Sequence, residues 1–296
     1  MRAVSFLFLT SFFLAYYSGR DAFAQELRSK EYWEGNWDSI DSVLKDLSEL
    51  KIGQQIIQLA IEKDKEFLQF VQRGKVSITE SNYTRSYSLS EGKENVSIDH
   101  KIYISENLSR ADAILDLAHE LTHFALRPIY DPYDTAVGLK QFIRAGIEGK
   151  GGELEAFQTE CLVAWELERA NENFHEHGLC SKYKKKNGFD VRQAKRDYYS
   201  IGPYFLQNED LVKFLPLLNA EDIRFTSSYA KKPYPIALVN EYQQSRKTAC
   251  ENNARKEKLI AAQAQEGRLP QSVSVELSKE HSKLLKYQQQ FCTAQD

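Results

Sequence analysis

The chain has 296 residues, 39 Lys and Arg against 42 Asp and Glu, and a formal net charge of −3 at pH 7. So even a balance gives no electrostatic case for nucleic acid or an anionic membrane as partner. With 42% apolar residues, the length suffices to bury a full core in one or two domains.

In chain order, Met1 to Ala24 reads as a secretory signal peptide: Arg2 gives a positive start, Val4 to Tyr17 an apolar core, and Ala22-Phe23-Ala24 a small-residue cleavage site before Gln25. The expected product is exported, periplasmic or secreted. No later segment approaches the ~18 apolar residues of a membrane span, so stable membrane insertion is not expected. Trp33 to Gln72 is helix-like, with Ile40, Val43, Leu44, Leu47, Ile56, Ile57 and Leu59 at helical intervals. Then the period changes. Lys75 to Glu80, Tyr83 to Ser90 and Val96 to Ser105 alternate apolar and polar residues and predict a small antiparallel sheet, with a turn around Gly92. His100 on the last strand is expected to face solvent.

Ser109-Arg110-Ala111-Asp112 has the form of a capping box with Asp in place of Glu. Ala113, Ile114, Leu117, Leu121 and Phe124 continue it as an amphipathic helix that Arg127-Pro128 ends. On that helix lies His119-Glu120-Leu121-Thr122-His123, an H-E-x-x-H sequence. At roughly 100° per residue the two imidazoles stand about 40° apart and can share one ion, while Glu120 falls about 60° beyond His123. The glutamate is thus beside the metal without ligating it. The motif reads as a zinc site in which Glu120 is the general base for a metal-activated water, with one Zn²⁺ per chain.

A catalytic zinc needs a third protein ligand. The metzincin pattern fails, because Leu126 and Ile129 stand where its Gly and third His would be. Downstream, Gly151-Gly152-Glu153-Leu154-Glu155-Ala156-Phe157 opens a second helix, predicted to run to about Asn173. Glu153-Leu154-Glu155-Ala156 resembles the E-x-x-A signature of the glutamate-ligand zincins, or gluzincins, although Phe157 stands where several such families carry Asp. That resemblance implies Glu153 as third ligand beside His119 and His123, with Glu155 and then Glu160 as further choices. It also implies a zincin-like domain whose sheet precedes the metal helix and binds extended peptide at its edge strand. A Tyr or His donor for the developing oxyanion is implied as well; Tyr130, Tyr133, His175 and His177 are open candidates. Asp116, one turn before His119, is expected at the surface, with orientation of a ligand imidazole as the alternative.

The basic run Lys182 to Lys186 reads as a solvated loop, and Asn187 to Asp222 as mixed helix and loop. Pro235 to Glu266 and Ser272 to Phe291 are helical stretches around the break Gly267-Arg268-Leu269-Pro270, as in a helical hairpin. Cys250 and Cys292 lie almost equally far from that break and are predicted to pair. For Cys161 and Cys180, a second bridge and buried thiols both remain open.

The expected fold class is α+β, mainly helical: signal peptide 1–24, zincin-like domain 25–230, and C-terminal helical hairpin 231–296, packed on that domain or extending from it. The expected function is an exported zinc metallopeptidase acting on a protein, peptide or cell-wall peptide substrate. Two rivals are a catalytically silent zincin-fold protein that holds a partner with the hairpin, and a zinc hydrolase of a non-peptide amide.

Overall fold

The structure, a computed structural model, describes residues 29–88, 93–171, 174, 178–265 and 271–292. The signal-peptide segment, the turn around Gly92, His175, His177 and the break 267–270 lie outside the described residues. Among the described residues three short helices come first: α1 (Lys30–Glu34), α2 (Ile40–Ser48) and α3 (Lys51–Lys63). Ser29 and Ser39 cap the first two through their side-chain oxygens. Val43, Leu47, Ile56 and Ala60 are buried with Trp33 and Trp37.

The helical run stops short of Gln72. After a 3-10 turn at Phe67–Phe70 comes β1 (Val71–Gly74), which pairs in parallel with β3 (Lys93–Ser105). An open sheet edge offers this segment backbone partners that an isolated helix end lacks. On the other side of β3, β2 (Ile78–Ser88) pairs antiparallel from Ile78↔Tyr103 to Ser88↔Lys93. The sheet order is β1-β3-β2, so the sheet is mixed rather than wholly antiparallel. Two predicted strands are one, since no Gly or Pro interrupts Ile78 to Ser88.

Ile102 and Ile104 are fully buried on the inner face of β3. His100 shares their parity and therefore their face. Its ring packs 5.2 Å from Phe124 and 5.9 Å from Phe70, and its Nδ1 lies 2.9 Å from Ser81 Oγ. The expectation that it faces solvent fails for that reason. β1 covers β3 only from Ile102 to Ser105, so the remainder is a two-stranded ribbon, with Val96 47% and Ile98 44% exposed. Polar contacts hold its tip: Arg85 bridges Glu94 at 3.2 Å and Asp131 at 2.6 Å and lies over Tyr133, while Lys256 reaches Glu94. A two-stranded ribbon is marginal alone. Arg85→Ala is therefore expected to speed amide hydrogen exchange across the ribbon while leaving exchange at Ile102 and Ile104 unchanged; equal acceleration at both would contradict this division.

The next helix, α4 (Arg110–Leu126), is capped by Ser109, whose Oγ accepts from Asp112 N at 3.1 Å and bonds the Asp112 carboxylate. It is buried along most of its length, against α2, α3, the sheet and a later helix, α6 (Glu153–Ala170). Arg127 ends it because Pro128 follows. Then come α5 (Leu139–Glu148) and α6 (Glu153–Ala170). Cys161 in α6 pairs with Cys180 in α7 (Gly178–Ser181), settling the open choice in favour of a bridge. Lysines of the basic run meet carboxylates: Lys182 pairs with Asp197, Lys184 with Glu168 and Lys185 with Asp190, while Tyr183 is fully buried. A small hairpin of β4 (Lys184–Lys185) and β5 (Gly188–Phe189) leads into α8 (Val191–Tyr198), α9 (Tyr204–Gln207) and α10 (Glu209–Phe214).

The last two helices, α11 (Tyr234–Gln265) and α12 (Gln271–Phe291), lie antiparallel, joined by Cys250–Cys292 and by Lys256–Glu280. α11 also crosses α5. Arg246, 3% exposed, donates to the carbonyls of Pro132, Asp134 and Val137, each at 2.7 Å, and to Tyr287 Oη at 3.1 Å. A buried guanidinium paired with that many carbonyls ties both C-terminal helices to the segment that follows α4. Two disulfides suggest an oxidising, exported compartment. Among the described residues no helix is long and apolar enough to cross a membrane.

Candidate metal centre

His119 and His123, on successive turns of α4, face α6, and Glu153 in its first turn meets them; the three offer ligand atoms within 4.8 Å of one another. The two Nε2 atoms are 3.1 Å apart, His119 Nε2 is 3.5 Å from Glu153 Oε2, and His123 Nε2 is 3.4 Å from Glu153 Oε1. Zinc bonds of about 2.0–2.1 Å in a tetrahedron set ligand atoms about 3.3 Å apart. The donor set thus fits one such ion in spacing and chemistry.

The far side of each imidazole is also held. His123 Nδ1 lies 2.8 Å from the Gly151 carbonyl and donates to it; His119 Nδ1 lies 3.0 Å from Glu160 Oε2. Both bonds leave Nε2 facing the cluster, the arrangement in which an outer acceptor orients a ligand imidazole. Glu160, the last of the choices for third ligand, is therefore the acceptor behind His119. Asp116 is half-buried rather than solvated: burial and the nearby Glu160 carboxylate push its carboxyl up to about 6, and it bonds Ser77. Glu155 turns back to accept from Gly151 N at 2.6 Å.

Gly151 adopts φ +64, and a Cβ there would lie 2.2 Å from Arg127 N. Only glycine fits so close an approach. Its carbonyl serves both His123 and Arg127 Nε, at 3.0 Å, while Arg127 also donates to Glu153 Oε1 at 2.9 Å. Phe157, the departure from the gluzincin signature, is buried among Tyr183, Phe189, Tyr198 and Phe225, an aromatic cluster in which a carboxylate would have no partner.

Sequence reading also missed Tyr234. It begins α11, and its hydroxyl bonds Glu153; burial first, and the Glu153 charge next, push its phenol well above the usual range, so it stays a donor. No local pattern marks it, because the chain returns to the site only through α11. Of the earlier tyrosine candidates, neither bonds the His-His-Glu cluster among the described residues, and the buried Tyr130 hydroxyl has no hydrogen-bond partner there. Tyr130 packs on Phe142 and Tyr242, and Tyr133 accepts from Asn252 and packs on Tyr287.

Glu120 is buried beside the cluster, and burial pushes its carboxyl up to about 7 against the pull of His119. Burial, with Arg127 beyond it, brings His123 down to about 4, so its imidazole is neutral at pH 7. Burial alone would lower His119 as well, but the Glu153 and Glu160 carboxylates outweigh it and hold the imidazolium well above the ordinary range. Uptake of a metal ion on both imidazoles would then expel the His119 proton. Affinity is expected to fall about tenfold per unit as pH drops, one proton being released from His119. Calorimetric titration in buffers of different ionisation heat counts the released protons; an affinity flat from about pH 6 to about pH 8 would contradict this account.

No protein-family model, curated protein or solved structure matches the chain. Fold and site together define a mostly helical α+β protein with a buried His-His-Glu group able to hold one metal ion.

Proposed function

We propose that this chain is an exported, zinc-dependent metallopeptidase of gluzincin type. The observation that carries the reading is the meeting of His119, His123 and Glu153 with both Nε2 atoms facing inward and Glu120 buried alongside. His119, His123 and Glu153 would hold the ion. Bound there, zinc would acidify a water and polarise a substrate carbonyl. Glu120 takes the water proton on its carboxylate and passes it to the leaving amine. Tyr234 would turn its hydroxyl from Glu153, which it bonds at rest, to donate toward the developing oxyanion, and Arg127 keeps the Glu153 carboxylate oriented. The substrate is a protein, peptide or cell-wall peptide.

Metal content and peptide hydrolysis test the reading together. One zinc per chain, lost in Glu153→Ala and kept in Glu155→Ala, is the expected result. A folded wild type that takes no zinc after reconstitution would overturn it. Tyr234→Phe is expected to keep the metal and lower kcat by about 10²-fold; an unchanged kcat would remove Tyr234 from the mechanism.

A further inference from the structure

We infer that Thr79 is a positioning residue for Glu120, fixing which carboxylate oxygen is left free to take a proton. The inference rests on the general-base reading above. Thr79 Oγ1 lies 2.7 Å from Glu120 Oε2 and 3.0 Å from the Glu120 carbonyl oxygen. The hydroxyl has one proton and faces two acceptors. With the carboxylate ionised, the proton goes to the charged oxygen, because a charge-assisted bond is the stronger. Oε2 is then engaged and Oε1 is not. Among the described residues this is the only side-chain hydrogen bond recorded for the Glu120 carboxylate, so without it the terminal carboxylate torsion, which is broad by nature, has no fixed setting.

The strand register makes Thr79 suited to the task. Ile102 pairs with Thr79 on one side and with Val71 on the other, so Thr79 is the last position on β2 backed by all three strands before the two-stranded ribbon begins. Its β-branched side chain has few χ1 choices. Ser77, on the approach to the same strand, bonds Asp116 one turn earlier on α4. The start of β2 therefore lies along the helix face that carries Asp116 and Glu120, and the sheet core, not the helix, sets the carboxylate's orientation.

Thr79→Val removes the hydroxyl and keeps the shape; Thr79→Ser keeps the hydroxyl. In protein labelled with ¹³C at the glutamate carboxyl, the Glu120 resonance, identified by its absence in Glu120→Gln, is expected to shift in Thr79→Val and to return near its wild-type position in Thr79→Ser. In the zinc-loaded protein, kcat is expected to drop about tenfold to a hundredfold in the Val variant with KM unchanged, and to recover in the Ser variant. An unmoved resonance, or wild-type kcat in Thr79→Val, would overturn the inference. A wild type that binds zinc yet cleaves no peptide would sink the peptidase reading instead, and the carboxyl resonance would still decide for or against Thr79.

Discussion

Glu120→Gln is expected to keep one zinc per chain and to lose hydrolysis, with kcat falling by about 10²–10⁴-fold. The amide has the shape of the carboxylate, fills the same buried site beside α4 and can still accept from Thr79 through its oxygen. It cannot take a proton from water. The metal ligands are untouched, so elemental analysis should match wild type while a peptide assay reads near background; full turnover in the variant would eliminate Glu120 as base. A second signature is thermodynamic. In the metal-free protein the Glu120 carboxyl titrates at about 7, above its ordinary value of 4.5. The native state therefore binds more protons than the unfolded chain between those values, and stability falls as pH rises through that window. Gln removes this dependence, so the metal-free variant should gain stability over wild type at pH 8 relative to about pH 4. His119→Ala should behave differently, losing the metal itself.

Gly151→Ala is expected to be the most damaging small substitution near the site. A methyl group would sit 2.2 Å from Arg127 N and 2.7 Å from Leu126 C, both backbone atoms that cannot swing aside. The positive φ adds its own penalty for an L side chain. Together the strained backbone and the overpacking should cost about 2–5 kcal/mol of stability. The loss would not be confined to stability. The Gly151 carbonyl orients His123 and Arg127, and its amide is tied to Glu155. A shift of this segment away from Arg127 frees the His123 ring and moves the start of α6, where Glu153 stands. Denaturant unfolding and zinc content of the same sample should therefore fall together. A variant with wild-type zinc affinity and stability would show that the segment adapts and that Gly151 is dispensable.

Some of the architecture could be read locally. The Ser109 cap, the Pro128 stop and the helix between them depend on residues within a turn of each other, and the structure matches them. The Cys250–Cys292 bridge was readable because the two cysteines lie almost equally far from the one break between the helices, and antiparallel packing brings those positions opposite each other. Other features were not legible. β1 has too few residues to show a strand period, and its partner is the far edge of β3. His100 was misassigned because polarity was weighed above parity, although it alternates in step with Ile102 and Ile104.

By itself, the amino-acid order determined what the ionisable residues near His119 can do, since helical spacing alone puts His119 and His123 on one side and Glu120 beside them. The resemblance of Glu153-Leu154-Glu155-Ala156 to the gluzincin signature narrowed the third partner to a few carboxylates on the next long helix. Only the tertiary structure decided among them. The packing of α6 on α4 brings Glu153 between the imidazoles and Glu160 behind His119, while β2 delivers Thr79 and α11 delivers Tyr234 from far away in the chain. Helix periodicity is a property of neighbouring residues and can be read from them. The register between two packed helices, or between a strand and a helix, depends on side chains that meet only once the core has closed.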